Sequence, residues 1–584
     1  MNSEQPLSKY ISDSEKLEIN NFHKKIKVAF LSSFTINGLS ESLKVKCSKN
    51  QVTCSSYVAS YNQYNQEILD KNSNLYSFLP DITFLILDTR SIFGDLFYFP
   101  YSITKSQRKN FVDEKINKIM KLINKFNETT NSKLIITNLG LPHYSPHGIA
   151  EMKTSYSFHD TIMDFNKKLK ENLIDMTSVY VFDFFKFIIK HGENNVFNFQ
   201  NYLFGDIKIS LDYIPHLANE LMPYIISFLG LTKKCIVVDL DNTLWGGIVG
   251  EDGFDGIRLG PQPPGNAFVE FQKYLKALSQ RGIILAINSK NNFDDAIKVI
   301  REHPFMVLKE NDFSCMKINW NDKASNMREI SEELKIGLDS FVFFDDDPVN
   351  RALIRGIMPE ITTPDLPHDP SCYSEVIQSL HDFSTFQITS EDSNRGQMYS
   401  EQKLRIESQN SSSDISEFLK TLNLEIDIKT TNSFTIPRIS QLTLKTNQFN
   451  LTTKRYQEDE IKKFSENNNI LIGCAQIKDK FGDNGITGVF IVEKTNSDEW
   501  FLDTFLLSCR VMGREVEKGM LFFIINQAKK NNVKRLKAKF IPTPKNKPIE
   551  NFLPNCQFHQ ENDFWIYNLE TPFNMPDFLT LREE

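Results

Sequence analysis

What this chain of 584 residues lacks narrows its reading first. Its eight cysteines include no Cys-x-x-Cys pair, which supports neither a zinc site nor a disulfide framework, so most are expected to be reduced and buried. No uncharged apolar run approaches the ~18 residues that a membrane-spanning helix requires. Met1 to Phe22 is polar and acidic, without the basic start and apolar stretch of a secretion signal. A cytoplasmic protein with no membrane partner is expected. Positive charge is not in excess either: the formal net charge is -7, whereas nucleic acid as a main partner would favour a basic stripe. An acidic protein partner would need a local basic patch. No internal repeat is evident.

With 40% hydrophobic and 24% charged residues, the composition is that of a folded globular chain. The length exceeds what one core organises, and ~150 residues per domain leads us to expect three domains. The polar stretch 407–414 interrupts the apolar periodicity and reads as a linker or loop near a boundary.

The most informative segment is Cys235-Ile-Val-Val-Asp-Leu-Asp241, an apolar run that ends in two carboxylates one residue apart. A strand can bury Ile236 to Val238, but neither aspartate suits an apolar interior without a partner such as a metal ion. The spacing suits phosphoryl transfer, with Asp239 attacking phosphorus and Asp241 handling the leaving-group proton. A hard cation, Mg2+, would join them, and the backbone from Asn242 to Trp245 offers N–H groups to phosphate oxygens. An acidic strand-to-turn corner is the structural alternative.

A βα alternation follows. Phe268, Phe271, Leu275 and Leu278 predict a helix stopping at Gly282, and Ile283 to Ile287 is a strand ending in Asn288-Ser289-Lys290. Asp322 caps a predicted helix from about Lys323 to Lys335, and Phe341 to Phe344 is a strand ending in Asp345-Asp346-Asp347. Ligands of parallel sheets bind beyond the carboxyl ends of the strands, so Asp239, Asp241, Ser289 and Asp346 are expected to converge. Ser289 would hydrogen-bond the phosphoryl group, and Lys323, with Lys317 as competitor, would neutralise its charge. Asp345 or Asp346 would complete the metal shell.

The first ~228 residues predict another parallel sheet, from Val28–Leu31, Ile82–Leu87, Leu134–Ile136 and Val179–Phe182. In the last third, 470–476, 488–492 and 500–507 are strand-like, with Asp483-Asn-Gly485 a turn signal and a helix from about Gly513. Cys509 precedes Arg510 and that helix, which would favour its thiolate as an acyl acceptor, although an apolar run before it equally fits ordinary burial. The amides and hydroxyls of 445–455 would bind a small polar group or else cap a loop.

Asp239-Leu-Asp-Asn-Thr243, Ser289, Lys323 and Asp345-Asp346 resemble the four motifs of the haloacid dehalogenase superfamily. The longer matches, from Asp239 through Trp245-Gly-Gly247 to Gly253, Asn319-Trp-Asn-Asp-Lys323 and Phe343-Phe-Asp-Asp-Asp-Pro-Val349, look like its FkbH-like branch. Asp347 and Asn350 depart from that family's Asp-Asp-Asn-Pro and later Glu. The resemblance implies a Mg2+-dependent enzyme, with Asp239, Asp241, Asp345 and Asp346 as metal ligands. It also implies that a glyceryl group is taken from 1,3-bisphosphoglycerate, dephosphorylated, and loaded onto the phosphopantetheine thiol of an acyl carrier protein for polyketide-type biosynthesis.

Ser32 or Ser33 with Asp212 and His216 resembles the order of an SGNH hydrolase, with Asn138 standing where a Gly-x-Asn-Asp block is absent. A degenerate docking domain is expected there. Arg510-Val-Met-Gly-Arg-Glu515 resembles the coenzyme A loop of GNAT-like acyltransferases, so Arg510 and Gly513 are candidate cofactor-binding residues, with Glu515 departing from the pattern. The expected architecture is therefore multidomain α/β: an SGNH-like domain (1–228), a Rossmann-like phosphatase domain (229–395) and a GNAT-like α+β domain (396–584). The rival readings are a small-metabolite phosphatase without acyl transfer and a non-catalytic carrier-binding scaffold.

Overall fold

The computed structural model describes residues 4–583 apart from 18–21, 23, 394–397, 399, 400, 402–404, 406, 407 and 409–413. Of the expected linker 407–414, only Ser408 and Asp414 are among the described residues. The fold is multidomain α/β, and the chain divides into two compact units, Met1–Leu229 and Gly230–Glu584.

The first unit is built on a parallel sheet of β1 (Lys24–Ser32), β2 (Val52–Val58), β3 (Ile82–Ile86), β4 (Lys133–Thr137) and β5 (Val179–Phe182) in the order β2-β1-β3-β4-β5. Every residue of β3 and β4 is buried, as expected of parallel strands covered on both faces. β2 carries no apolar run and is mostly half-exposed at the sheet's edge, which is why periodicity misses it.

In the second unit, β6 (Cys235–Val238), β7 (Ile284–Ser289), β8 (Phe313–Ile318) and β9 (Phe341–Phe344) form a parallel sheet in the order β8-β7-β6-β9. Alternate residues enter two cores. Ile236, Val238, Leu285, Ile287, Val342 and Phe344 pack on one face; Cys235, Val237, Ile284, Ala286, Phe341 and Phe343 pack on the other. Period-two burial on both faces explains why these strands read as continuous apolar runs.

The remaining strands form one large mixed sheet: β10 (Leu424–Lys429), β11 (Phe449–Asn450), β12 (Ile470–Asp479), β13 (Gly482–Glu493), β14 (Glu499–Leu507), β15 (Arg535–Ala538), β16 (His559–Glu561), β17 (Phe564–Asn568) and β18 (Leu579–Glu583). β14 pairs in parallel with β15 only as far as Leu502 and Ala538. Beyond that point β11 takes the place beside β14, through Asn450 with Leu506 and Phe449 with Leu507.

The Asp483-Asn-Gly485 turn expectation is overturned. The β12–β13 hairpin turns earlier, where Asp479 Oδ1 accepts from the N–H groups of Phe481 (2.9 Å) and Gly482 (3.2 Å). Asn484 and Gly485 lie inside β13, opposite a register shift at Gln476–Lys478, with Gly485 at φ 67°. Asn-Gly supplies a positive φ, and a bulge uses it as well as a turn does.

Candidate active site

The sheet register builds the site. Val238 pairs with Phe344, and the Asp239 N–H donates to Phe344 O at 2.9 Å. Asp239 on β6 therefore stands level with Asp345 on β9. Val238 also pairs with Ile287, so Ser289, buried at the end of β7, belongs to the same rim.

Lys323 draws this rim together. It is the first residue of the helix Lys323–Leu334, whose cap Asp322 accepts from Ser325 N–H at 2.8 Å. Its ammonium, 1% exposed, lies 2.7 Å from Asp239 Oδ2 and 2.7 Å from Asp345 Oδ2, and it donates to Asn288 O at 3.1 Å. Burial alone would lower its pKa, but Asp239 and Asp345 more than offset this and raise it, so it stays charged. Lys317, the competing lysine, instead pairs with Glu329 and Glu333, each at 3.1 Å.

Asp239, Asp345 and Asp346 each offer an oxygen within 4.8 Å of the others. One ammonium cannot balance three carboxylates, and the surplus is felt at Asp345 and Asp346. Asp346 is pushed up to about 6 by burial, then by Asp239 and Asp345; Asp345 is raised by burial and by Asp239 against the pull of Lys323. An oxygen-only donor set with surplus negative charge fits a hard divalent cation.

Asp241, the fourth carboxylate expected at the metal, is not one of that close group. Its Oδ1 accepts from Trp245 Nε1 (2.8 Å) and Val249 N–H (3.1 Å), and its Oδ2 from Asn291 Nδ2 (2.7 Å). The turn that aims it there has Asn242 at φ 53°, with Asn242 Oδ1 accepting from Gly247 N–H at 2.8 Å. Burial raises the Asp241 pKa against these three donors, which suits a group that must hold and release a proton. The fully buried Trp245 thus has a polar task besides filling the core.

Several supporting contacts are not legible in the sequence. Thr243 Oγ1 accepts from Asp346 N–H at 3.2 Å. Arg351 Nη1 donates to Asp345 O and Asp346 O, both at 2.7 Å, and fixes the loop. Asn288 Nδ2 donates to Lys323 O at 2.9 Å, tying β7 to the helix start. Asp347, the departure from the family pattern, caps the helix Pro348–Ile357 through Val349 N–H at 2.9 Å.

The other candidate residues lie elsewhere. Cys509 opens the short 3-10 turn Cys509–Val511 and is partly exposed. Arg510 is buried; Gly513 (φ 79°) and Glu515 (φ 60°) are both left-handed just before the helix Val516–Lys530. Within 445–455, Asn450 Oδ1 accepts from Thr453 N–H at 2.9 Å, and its O accepts from Asn546 Nδ2 at 3.0 Å, which gives this residue the loop-capping task.

In the first unit the serine triad is not assembled. Ser32 Oγ accepts from Phe34 N–H and Ser33 Oγ from Asp88 N–H, while the His216 ring lies against His191 and Tyr213. Among the described residues, neither serine is hydrogen-bonded to His216, nor His216 to Asp212. Asn138 caps the next helix, donating to Asp183 Oδ1 and accepting from Phe185 N–H.

The parallel sheet with acidic strand ends, a buried lysine between them and an Asp-x-Asp turn define a phosphatase-type domain of the haloacid dehalogenase kind. Residues 27–226 match the family model of the FkbH N-terminal domain. The structure is similar to the Mg-complexed N-terminal part of protein BF1531 from Bacteroides fragilis, which contains a phosphatase domain: 30% identity, TM-score 0.60, covering 65% of this chain and 99% of that one. The chain belongs to the FkbH-like family.

A GNAT-family putative acetyltransferase from Desulfovibrio desulfuricans matches 25% of this chain and 99% of its own at 9% identity and TM-score 0.21. The ribosomal-protein-S18-alanine N-acetyltransferase of Escherichia coli matches 24% and 90% at 12% identity and TM-score 0.20. A search of curated protein sequences finds no match.

Proposed function

We propose that this protein is a Mg2+-dependent phosphatase and acyltransferase that removes the phosphate of a glyceryl phosphoester and delivers the glyceryl group to a carrier thiol. The observation that carries the reading is the Lys323-bridged pair Asp239 and Asp345 with Asp346 beside them and Asp241 held separately by Trp245 and Asn291.

Two carboxylates in different surroundings take different roles. Asp239, oriented by Lys323 and by Leu240 N–H at 2.8 Å, attacks phosphorus; an O–P bond forms to its carboxylate as the ester O–P bond breaks. Asp241 gives its proton to the departing alkoxide and then takes one from the water that hydrolyses the aspartyl phosphate. Ser289 hydrogen-bonds the phosphoryl oxygens, and Lys323 offsets their charge. Asp239, Asp345 and Asp346 would hold Mg2+, as the phosphatase-domain relative was crystallised with Mg; the ion supplies charge neutralisation at the phosphoryl group.

The family suggests 1,3-bisphosphoglycerate as donor and a phosphopantetheinylated acyl carrier protein as acceptor, with Cys509 as the thiol of an acyl intermediate beside Arg510 and Gly513. Incubation of the protein with Mg2+, 1,3-bisphosphoglycerate and a carrier is expected to add a glyceryl mass to the carrier, whereas Asp239→Asn adds the phosphorylated form. Absence of any adduct on the cognate carrier contradicts the transferase half, and phosphate release without a carrier then leaves a metabolite phosphatase.

A further inference from the structure

Residues 529–547 carry eight lysines and arginines and no carboxylate, in a chain whose formal net charge is -7. The fold gathers part of this charge on one surface. Leu536 and Ala538 of β15 enter the core, so Arg535 and Lys537, with Lys539 just past the strand's end, take the opposite face. The Lys537 and Lys539 ammonium groups lie 4.0 and 5.4 Å from the centroid of the same Phe564 ring. Glu499 serves both Arg535 (3.3 Å) and Lys537 (3.8 Å), while Lys539 has no ion-pair partner among the described residues. Positive charge therefore exceeds negative along this row.

The row continues into the loop after β15, which holds Pro542, Pro544 and Pro548. Buried Asn546 pins that loop from inside: its Nδ2 donates to Asn450 O (3.0 Å) and Ile541 O (2.9 Å), and its Oδ1 accepts from Thr543 N–H (2.7 Å). Lys545 and Lys547, on either side of Asn546, are exposed. Lys545 pairs with Asp339; Lys547 has no ion-pair partner among the described residues. A loop fixed in this way loses little conformational freedom when a partner settles on it.

Strand register places this loop at the end of the sheet that bears Cys509. β14 and β15 run parallel, so Lys539 beyond β15 and Cys509 beyond β14 leave the sheet at the same end. Ile541 N–H donates to Leu451 O at 2.8 Å, and Leu451 N–H to Phe505 O at 3.2 Å. The loop thus starts level with Phe505 of β14, two strand spacings or ~9.5 Å away.

We propose that Arg535, Lys537, Lys539, Lys545 and Lys547 form the docking surface for an acidic protein, the acyl carrier of the proposed function. The partner's identity rests on that reading; the surface itself does not. Carboxylates stand between the cations, with Glu499 beside Arg535 and Asp498 3.2 Å from Lys534. Discrete positive points of this kind suit carboxylates spaced over a folded protein, whereas the continuous negative charge of nucleic acid or of an anionic membrane would also meet Glu499 and Asp498.

Binding of an acidic acyl carrier protein to the whole chain, followed by fluorescence anisotropy, tests the surface without relying on the chemistry. Lys539→Glu with Lys547→Glu should weaken binding at least ~10-fold at low salt, and the difference should shrink towards ~1 M salt, where charges are screened beyond ~3 Å. Lys529→Glu, at the far end of β15, should bind as the parent does, and all variants should keep their phosphate release. In glyceryl loading the double variant should raise KM for the carrier and leave kcat unchanged. Equal carrier binding by parent and double variant, or none by the parent, overturns the proposal. So does a loss confined to DNA or to vesicles of anionic lipid, which would assign the lysines to those surfaces. A parent that binds carrier through these lysines yet transfers no glyceryl group leaves the surface standing and refutes the functional reading.

Discussion

Replacing Lys323 by Met is the sharpest perturbation of the site. The methionine keeps the side chain's length but removes a charge that is 1% exposed and lies 2.7 Å from each of two carboxylates. Taking away one partner of such a buried arrangement costs about 3–5 kcal/mol, because the remaining carboxylates stay buried without compensation.

The loss carries a pH signature. Asp346 already titrates at about 6 against an ordinary 3.8, through burial and then Asp239 and Asp345. Between those values the unfolded chain has lost a proton that the folded chain keeps, so stability falls as pH rises through the window. Without Lys323 the carboxylates are pushed higher still. The deficit of the variant should therefore be largest above the window and shrink as pH falls towards 4. Mg2+ should stabilise the variant more than the parent.

Urea denaturation across this pH range, with and without Mg2+, measures both effects, and phosphatase turnover should fall by about 100- to 1,000-fold. A variant as stable and active as the parent, with no added response to Mg2+, would refute the account of the charge balance.

The neighbouring lysine supplies the contrast: Lys317 binds partly exposed Glu329 and Glu333, so Lys317→Met should cost at most ~1 kcal/mol in urea and leave phosphate release unchanged. Trp245→Phe removes the indole donor of Asp241; steady-state kinetics should show kcat lowered by about tenfold with KM little changed, because the lost contact orients a proton-transfer group. In the first unit, Glu151 is buried, which would raise its pKa, but hydrogen bonds from Ser145, Tyr101 and His159 N–H bring it down to about 2 from an ordinary 4.5. Its contribution is present above pH 4.5 and fades as pH falls towards 2, so acid unfolding of Glu151→Gln should start at higher pH than that of the parent.

The parts legible in the sequence were those encoded in continuous apolar runs with acidic ends. β6, β7 and β9 are buried on both faces, so their patterns announce both the strand and the place where it stops. β8, Phe-Ser-Cys-Met-Lys-Ile, mixes buried and half-exposed residues at the sheet's edge and gives no such signal. The choice between Lys317 and Lys323 is equally silent in sequence, since it depends on which one a helix start aims at the carboxylates. Asn288, Asn291 and Arg351 act by bonding backbone or orienting another side chain, tasks that leave no periodic or motif signal in the sequence. Asp241 shows the limit most clearly: spacing places it at the site, but only the left-handed turn at Asn242 turns its carboxylate towards Trp245 and away from the other three.

Covalent phosphorylation of Asp239 is the central claim, and it is measured directly by mass spectrometry of the protein quenched during turnover of a phosphoester with Mg2+. The peptide containing Asp239 should carry one acid-stable, hydroxylamine-labile phosphoryl group, retained longer in Asp241→Asn because water is then not activated, and absent from Asp239→Asn. Turnover with no such adduct in the parent or in Asp241→Asn, or an adduct that persists when Asp239 is replaced, would contradict the account.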